Sequence, residues 1–189
     1  MVFLDILLYA VALSVDATAV NITNGVCYKK FNHKRLAFAA FLFGLFQGIM
    51  PLIGYFVYAF FAEQSAWFVS SGRWIGFGLL MIIGGKMIFD GIKSIVKPES
   101  CPLIDDIPNH KIFVQAIATS IDAMAVGVSI YVAQDGTNIW LAVSVIAVVT
   151  FLLSFLGGLF GKVIGSFVKK VAPILGGLVL IFIGFSILL

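Results

Sequence analysis

Long apolar stretches alternate with short polar segments along the whole chain of 189 residues. A helix that crosses the hydrocarbon core of a bilayer needs about 20 mostly apolar residues. The pattern therefore predicts an all-α polytopic membrane protein with six transmembrane helices. Composition supports this, because 61% of the residues are hydrophobic and 11% are charged, which leaves no room for a water-soluble domain. The predicted spans are Phe3–Val26, Leu36–Phe61, Trp74–Val96, Ile112–Ala133, Ile139–Gly161 and Val171–Leu189.

Basic residues are distributed unevenly among the predicted loops. Since positively charged loops stay in the cytoplasm, both termini are expected to lie outside the cell. The net charge of +3 then reflects topology, and nothing favours binding of nucleic acid. Cys27 and Cys101 fall on the cytoplasmic side, where free thiols are expected. The loops after the first, third and fifth spans contain Lys29, Lys30, Lys34, Arg35, Lys93, Lys97, Lys111, Lys162, Lys169 and Lys170, whereas the alternate loops contain only Arg73.

A segment of the first span recurs in the fourth. Ser14–Val20 reads SVDATAV and Ser120–Val126 reads SIDAMAV, and weaker matches link the second span with the fifth and the third with the sixth. Because each half contains three spans, the second half must enter the membrane in the opposite direction. The sequence therefore predicts two inverted three-helix repeats, residues 1–96 and 112–189, joined by a cytoplasmic linker at 97–111. Inverted repeats are typical of transporters that bind their substrate near the middle of the bilayer.

Asp16 and Asp122 occupy matching positions in this repeat, close to the middle of their spans. A charged side chain at the centre of a membrane helix costs about 2.5–3.5 kcal/mol on insertion scales, so both carboxylates need a partner. One divalent cation between them would compensate both charges. The alternative is a protonated or hydrogen-bonded pair that only holds two helices together.

Neutral oxygen donors lie on turns close to the two aspartates. Asn21 and Thr119 are candidate ligands, and Gln47 in the second span is either a ligand or an interhelical hydrogen-bonding group. Pro51 lacks an N–H group and so frees a backbone carbonyl within the helix. Oxygen donors of this kind suit Mg²⁺, Ca²⁺ or Mn²⁺, whereas Zn²⁺ and Cu⁺ favour clusters of Cys, His or Met. The residues predict a hard divalent cation as transported substrate, with no cofactor.

Apart from Lys93 near the end of the third span, Lys86 is the one basic residue inside a predicted span. It can pair with Asp90, one helical turn away. It can also neutralise the paired aspartates when the metal has left. The pattern leaves both roles open and makes Lys86 and Asp90 candidate supporting or coupling residues.

Short motifs along the chain resemble one known family. The most specific surrounds Asp122 and is Ala116–Val128; the others are Ser14–Ala17, Phe43–Gly44, Pro51–Gly54, Gly84–Ile88 with Asp90–Gly91, and Ile174–Leu180. Together they resemble the MntP family of manganese efflux pumps, within the wider LysE-type exporter group. The resemblance implies export of Mn²⁺ across the plasma membrane, with Asp16 and Asp122 at the family's paired aspartates. Gln47 stands where some members carry an acidic residue.

The energy source is expected to be an ion gradient. The sequence has no phosphate-binding loop of the Walker type, which indicates a secondary transporter and not an enzyme. Export of a divalent cation against an inside-negative potential costs about 4.6 kcal/mol per 100 mV. Proton antiport, in which Asp16 and Asp122 bind either metal or protons, would remove this cost. An exporter of an amino acid or another small solute is the alternative, although no arginine within a span could bind a carboxylate.

Overall fold

The structure, a computed structural model, describes residues 3–28, 31–96, 105–133 and 137–188. These residues are helical apart from short connecting segments, which confirms the all-α prediction. Most of the predicted linker, residues 97–104, lies outside the described part. The helices are α1 (Phe3–Cys27), α2 (His33–Gln64), α3 (Ala66–Val96), α4 (Asn109–Ala133) and α5 (Ile139–Leu188).

Five helical segments are long and apolar enough to cross a bilayer, so the chain is a multi-pass membrane protein. The bounds of α1 and α4 lie close to the predicted spans. In contrast, α3 begins at Ala66 instead of Trp74, and only Ser65 separates it from α2. The helix extends past the apolar stretch because its backbone hydrogen bonds do not depend on apolar side chains.

The fifth and sixth predicted spans both belong to α5, which contains 50 residues. A straight helix of this length would be about 75 Å long, more than twice the thickness of the hydrocarbon core at about 30 Å. Contacts show two arms instead. Gly158 lies beside Gly25 near the end of α1, whereas Ile139 and Ile183 both belong to the cluster that contains Ile6 near its beginning. The arms therefore run in opposite directions along α1.

The two arms differ in length. The first, Ile139–Phe160, meets the length and hydropathy of a membrane span, whereas the apolar part of the second is the shorter segment Pro173–Ile187. At about 1.5 Å per residue, this segment is shorter than the hydrocarbon core is thick. Six spans are thus confirmed in part, as five full spans and one shorter apolar segment.

The end of the linker docks on the connection between α1 and α2. Arg35 donates hydrogen bonds to the Asp106 carboxylate, its ion-pair partner, and to the Ile107 carbonyl oxygen at 2.8 Å. Ile107 is fully buried beside Tyr28, whose hydroxyl accepts a hydrogen bond of 2.8 Å from Lys111 Nζ. These contacts hold the beginning of α4 against the end of α1.

The cysteine prediction is wrong for Cys27, which is disulfide-bonded. Cys101, the other cysteine of the sequence, lies outside the described residues. Cys27 is buried in the cluster that also contains Ile107. A linear sequence does not show that the linker folds back onto this helix end, and the expectation of free thiols rested on compartment alone.

Two helix pairs cross at glycines, where the backbones come unusually close. A Cβ atom at Gly54 of α2 would lie 2.8 Å from the Met124 carbonyl carbon of α4, and one at Gly127 would lie 2.7 Å from that of Pro51. Gly84 of α3 and Gly177 of α5 approach one another in the same way. Small residues allow such approach in membrane helices. These close contacts thereby fix the rotation of α2, α3 and α4 about their own axes.

Candidate metal-binding site

A cavity of about 550 Å³ lies between α1, α2, α3 and α4. Each of the last three helices contributes one face to it, with residues spaced three or four apart as on one side of a helix. Charged side chains on α1, α3 and α4 face a wall that is otherwise mainly apolar. The charged residues are Asp16, Lys86, Asp90 and Asp122, and the others are Gly54, Val57, Tyr58, Phe61, Leu79, Ile83, Met87, Ala118, Ile121, Met124, Ala125 and Val128.

Asp16 and Asp122 both line this cavity, although they lie on different helices. Small neighbours make room for them, since Ala17 and Ala123 are fully buried against other helices. Oδ1 of Asp122 is buried and has no hydrogen-bond partner within the described part of the protein. A buried carboxylate oxygen without a partner is costly, so this atom is available to a cation or a proton.

Lys86 and Asp90 of α3 line the same cavity. Lys86 interacts electrostatically with the carboxylates of Asp16 and Asp122, and Asp90 interacts with Asp16. Of the ion pairs between described residues, one joins Arg35 to Asp106, and none joins Lys86 to Asp90. The charge of Lys86 therefore acts on the aspartate pair.

Gln47 connects three helices and is not among the residues that line the cavity. Its Nε2 donates to the Leu13 carbonyl oxygen of α1 at 3.2 Å, and its Oε1 accepts a hydrogen bond of 2.8 Å from Ser120 Oγ of α4. The side chain is fully buried. Of the two roles left open by the sequence, the observed contacts are those of interhelical hydrogen bonding.

The other predicted donors also lie beside the cavity, not in it. Asn21 Nδ2 donates to Ser154 Oγ at 3.0 Å and to the Ser154 carbonyl oxygen at 3.2 Å, which ties α1 to α5. Thr119 Oγ1 donates to carbonyl oxygens of its own helix. Pro51 leaves α2 unbroken, and its carbonyl group lies against Gly127. Only the charged members of the predicted site are brought together.

Tyr58 and Met87 line the cavity and were not singled out from the sequence. A signal was present for Tyr58, because Gly54, Val57, Tyr58 and Phe61 recur with the spacing of one helix face. Nothing in the sequence distinguished that face from one that contacts lipid.

No cluster of three or more His, Cys, Asp or Glu residues suited to hold a metal occurs among the described residues. The aspartate pair is therefore not part of a metal centre with three or more such ligands in the described part of the chain.

Replacing Ser120 by alanine is expected to lower the stability of the protein. The change removes the donor to Gln47 Oε1 and leaves that buried oxygen unpaired, which costs about 1–3 kcal/mol. Thermal unfolding in detergent should then shift down by about 2–10 °C. Ser144→Ala is the control, because Ser144 is exposed and donates only to Trp140 of its own helix. Equal melting temperatures for the two variants would contradict the role of the Gln47 bridge.

Comparisons with known proteins agree on one family. The sequence profile described as "Putative manganese efflux pump" matches residues 30–188. A Wolinella succinogenes protein named "Putative manganese efflux pump MntP 1" is 41% identical over 187 residues, covering 98% of this chain and 97% of its own length. A similarly named protein of Campylobacter hominis is 41% identical over 189 residues, which cover 97% of its length. Another, from Ruminiclostridium cellulolyticum, is 40% identical over 183 residues, which cover 93% of its length. No solved structure matches the chain.

Proposed function

Because the chain belongs to the MntP family of manganese efflux pumps, we propose that it is a secondary transporter that exports Mn²⁺ from the cytoplasm across the plasma membrane. The observation that carries this proposal is the position of Asp16 and Asp122 on one shared cavity. Two carboxylates near the middle of the bilayer can hold one divalent cation between them. Mn²⁺ is the transported substrate and not a cofactor, and the protein is a transporter and not an enzyme.

Asp16 and Asp122 are the proposed principal ligands. Asn21, Gln47 and Thr119 remain predictions as further ligands, because each makes hydrogen bonds within the protein. Asn21 retains one buried oxygen, Oδ1, that has no partner among the described residues. Because of this unpaired oxygen, we rank Asn21 first among these three.

The proposed architecture is a pair of inverted repeats, residues 1–96 and 112–189, with the linker at 97–111. Two matched contacts support it. Gly54 of α2 packs against Met124 of α4, and Gly157 of α5 packs against Thr18 of α1, which lies 106 residues before Met124 just as Asp16 lies 106 before Asp122. The contacts between the first and fifth helices thus repeat those between the fourth and the second.

A second matched pair supports the same relation. The Pro51 carbonyl meets Gly127, and Ser154 meets Asn21 at the corresponding positions of the other half. For the third and sixth segments, Gly84 and Gly177 approach one another symmetrically. The weaker sequence match aligns Gly78–Leu79 with Gly177–Leu178, so the register of this contact differs from that of the sequence match. Inverted repeats would provide two related conformations, one open to each side of the membrane.

The proposed orientation places both termini outside and the linker in the cytoplasm, on the basis of the ten basic residues in alternate loops. Two of these residues lie at one end of the bundle, where Arg35 binds the Ile107 carbonyl oxygen of the linker and Lys111, the last linker residue, binds Tyr28. This end would then be the cytoplasmic one. In this orientation, metal would enter the cavity from that side.

We further propose that protons drive export, with Asp16 and Asp122 binding either one metal ion or protons. Exchange of two protons for one Mn²⁺ would move no net charge and would remove the cost of about 4.6 kcal/mol per 100 mV. In proteoliposomes, Mn²⁺ uptake should therefore make the lumen more alkaline. A pH-sensitive dye inside the vesicles would report this change, with a permeable counterion present. Manganese flux at constant lumenal pH would contradict proton coupling.

The export function is tested in manganese-sensitive cells that lack their own exporter. Expression of the full chain should lower intracellular manganese several-fold, measured by elemental analysis, while zinc, magnesium and iron stay constant. Membrane levels of the protein are determined in parallel by immunoblotting. If no metal changes, the metal proposal fails, and export of an amino acid or another small solute becomes the leading alternative.

A further inference from the structure

Four of the sixteen residues that line the cavity are charged, and their formal charges do not cancel. Three carboxylates and one ammonium group leave two negative charges, which one divalent cation would neutralise. We propose that Lys86 sets the net charge of the site, because it offsets one of the three carboxylates and so matches the cavity to a single divalent ion. This inference rests on the proposed function. It adds a residue that adjusts the net charge of the site without binding the metal itself.

The packing of α3 directs Lys86 to the cavity. Gly84, Ile88 and Gly91 form one face of this helix, and all three contact α5 at Gly177, Ile181 or Ile174. Lys86 lies two residues from Gly84, which places it on the opposite side of the helix. Ile83 and Asp90 lie on that side as well, and both line the cavity. The crossing of α3 with α5 therefore holds the ammonium group on the side of the aspartates.

Lys86 is not committed to its neighbour on the helix. No ion pair joins Lys86 to Asp90 within the described part of the chain, although the two lie one turn apart. Lys86 instead acts electrostatically on Asp16 and on Asp122. Because the side chain of Lys86 is exposed and those of Asp16 and Asp122 are half-buried, water screens these charges only in part. A lysine in this position opposes binding of any cation to the pair and favours its release.

The proposal separates two effects of removing the lysine. Without Lys86, the three carboxylates of the cavity would leave one negative charge after Mn²⁺ has bound to the aspartate pair, in the middle of the membrane. Manganese should then bind more tightly but be transported more slowly, because a charged site is costly to carry through the bilayer. Neutralising Asp90 in the same protein restores two negative charges. It should therefore restore transport, although Asp90→Asn alone removes a charge that the wild type needs.

The test uses the full-length protein as Lys86→Met, Lys86→Arg, Asp90→Asn and the double variant Lys86→Met/Asp90→Asn. Manganese affinity is measured in detergent by equilibrium dialysis, and transport rate in proteoliposomes. We expect Lys86→Met to bind manganese about tenfold more tightly or more, and to transport it at about one tenth of the wild-type rate. Lys86→Arg should keep the affinity of the wild type, because it keeps the charge. Lys93→Met, on an exposed position of α3 that is not part of the cavity, is the matched control and should behave as wild type.

The double variant distinguishes a role of Lys86 in setting the net charge of the site from a merely structural role of this residue. Its transport rate should return to within about threefold of the wild type if the net charge is what matters. Unchanged or weaker manganese affinity of Lys86→Met, or a double variant no faster than Lys86→Met, would overturn the inference while the proposed function stands. A wild type that neither binds nor transports manganese in the same assays would overturn both.

Discussion

Replacement of Asp16 or Asp122 by asparagine is expected to abolish manganese export. Each change removes one of two carboxylates that line the same cavity, and loss of one partner from a buried charged set costs about 3–5 kcal/mol. Manganese affinity should therefore fall more than about 100-fold. Asparagine keeps the size of the side chain, so helix packing is retained. In the manganese-sensitive cells, both variants should leave intracellular manganese as high as in cells without the protein.

Glu63→Gln is the matched control for these variants. It removes a carboxylate from an exposed position at the end of α2, which is not part of the cavity, and should leave export intact. Equal membrane levels of all four proteins are required for the comparison. Should Asp16→Asn or Asp122→Asn export manganese at the wild-type rate, the aspartate pair would be a structural element and the transport site would have to lie elsewhere.

The long apolar stretches of the sequence predicted most helices but not their relation to one another. For α1 and α4, the apolar stretch and the helix nearly coincide, because both helices are bounded by polar loops. The pattern also located two apolar segments within α5, yet it overestimated the second. Pro173–Ile187 is short for a span, since a stretch of apolar residues shows only that a segment avoids water, whereas its length across the bilayer depends on its packing.

The paired aspartates were predictable because charge is rare inside membrane helices. A carboxylate in the middle of a span is conspicuous in any sequence, and its recurrence in the repeat points to a shared site. Neutral donors carry no such signal. Gln47 and Asn21 lie within one or two helical turns of the aspartates along the membrane normal. Helical spacing gives this depth of a side chain in the membrane, but not which neighbouring helix the side chain contacts. Their partners, Ser120 and Ser154, depend on the rotation of each helix.

Docking of the linker could not be foreseen for a related reason. The segment before α4 contains prolines and acidic residues, a composition that is typical of exposed loops. Ile107 is the only large apolar residue of the described segment 105–108, and it is fully buried. The buried side chain of Ile107, the ion pair of Arg35 with Asp106 and the hydrogen bond of Arg35 to the Ile107 carbonyl oxygen hold this end of the linker. Local composition therefore described the polarity of the segment correctly, but not its contacts.

Alanine at Gly54 or Gly127 is expected to destabilise the protein more than alanine at any other glycine of the cavity-forming helices. The added methyl group would meet backbone atoms of the opposite helix, Met124 or Pro51, and backbone cannot move aside as a side chain can. Overpacking costs about 1–3 kcal/mol and occasionally more, and we expect at least the upper value here. Melting temperatures in detergent should fall by about 6–12 °C.

Gly78→Ala and Gly85→Ala are the controls, because a Cβ atom at either position meets nothing within 4 Å. Alanine also favours the helix over glycine by about 1 kcal/mol, so these variants should be as stable as the wild type or more so.

Gly54 and Gly127 lie at one crossing of α2 and α4. Once the first methyl group has pushed the helices apart, the second should cost less, so the double variant Gly54→Ala/Gly127→Ala should lose less stability than the sum of the two single losses. Single variants as stable as Gly78→Ala would show that α2 and α4 do not cross in close contact.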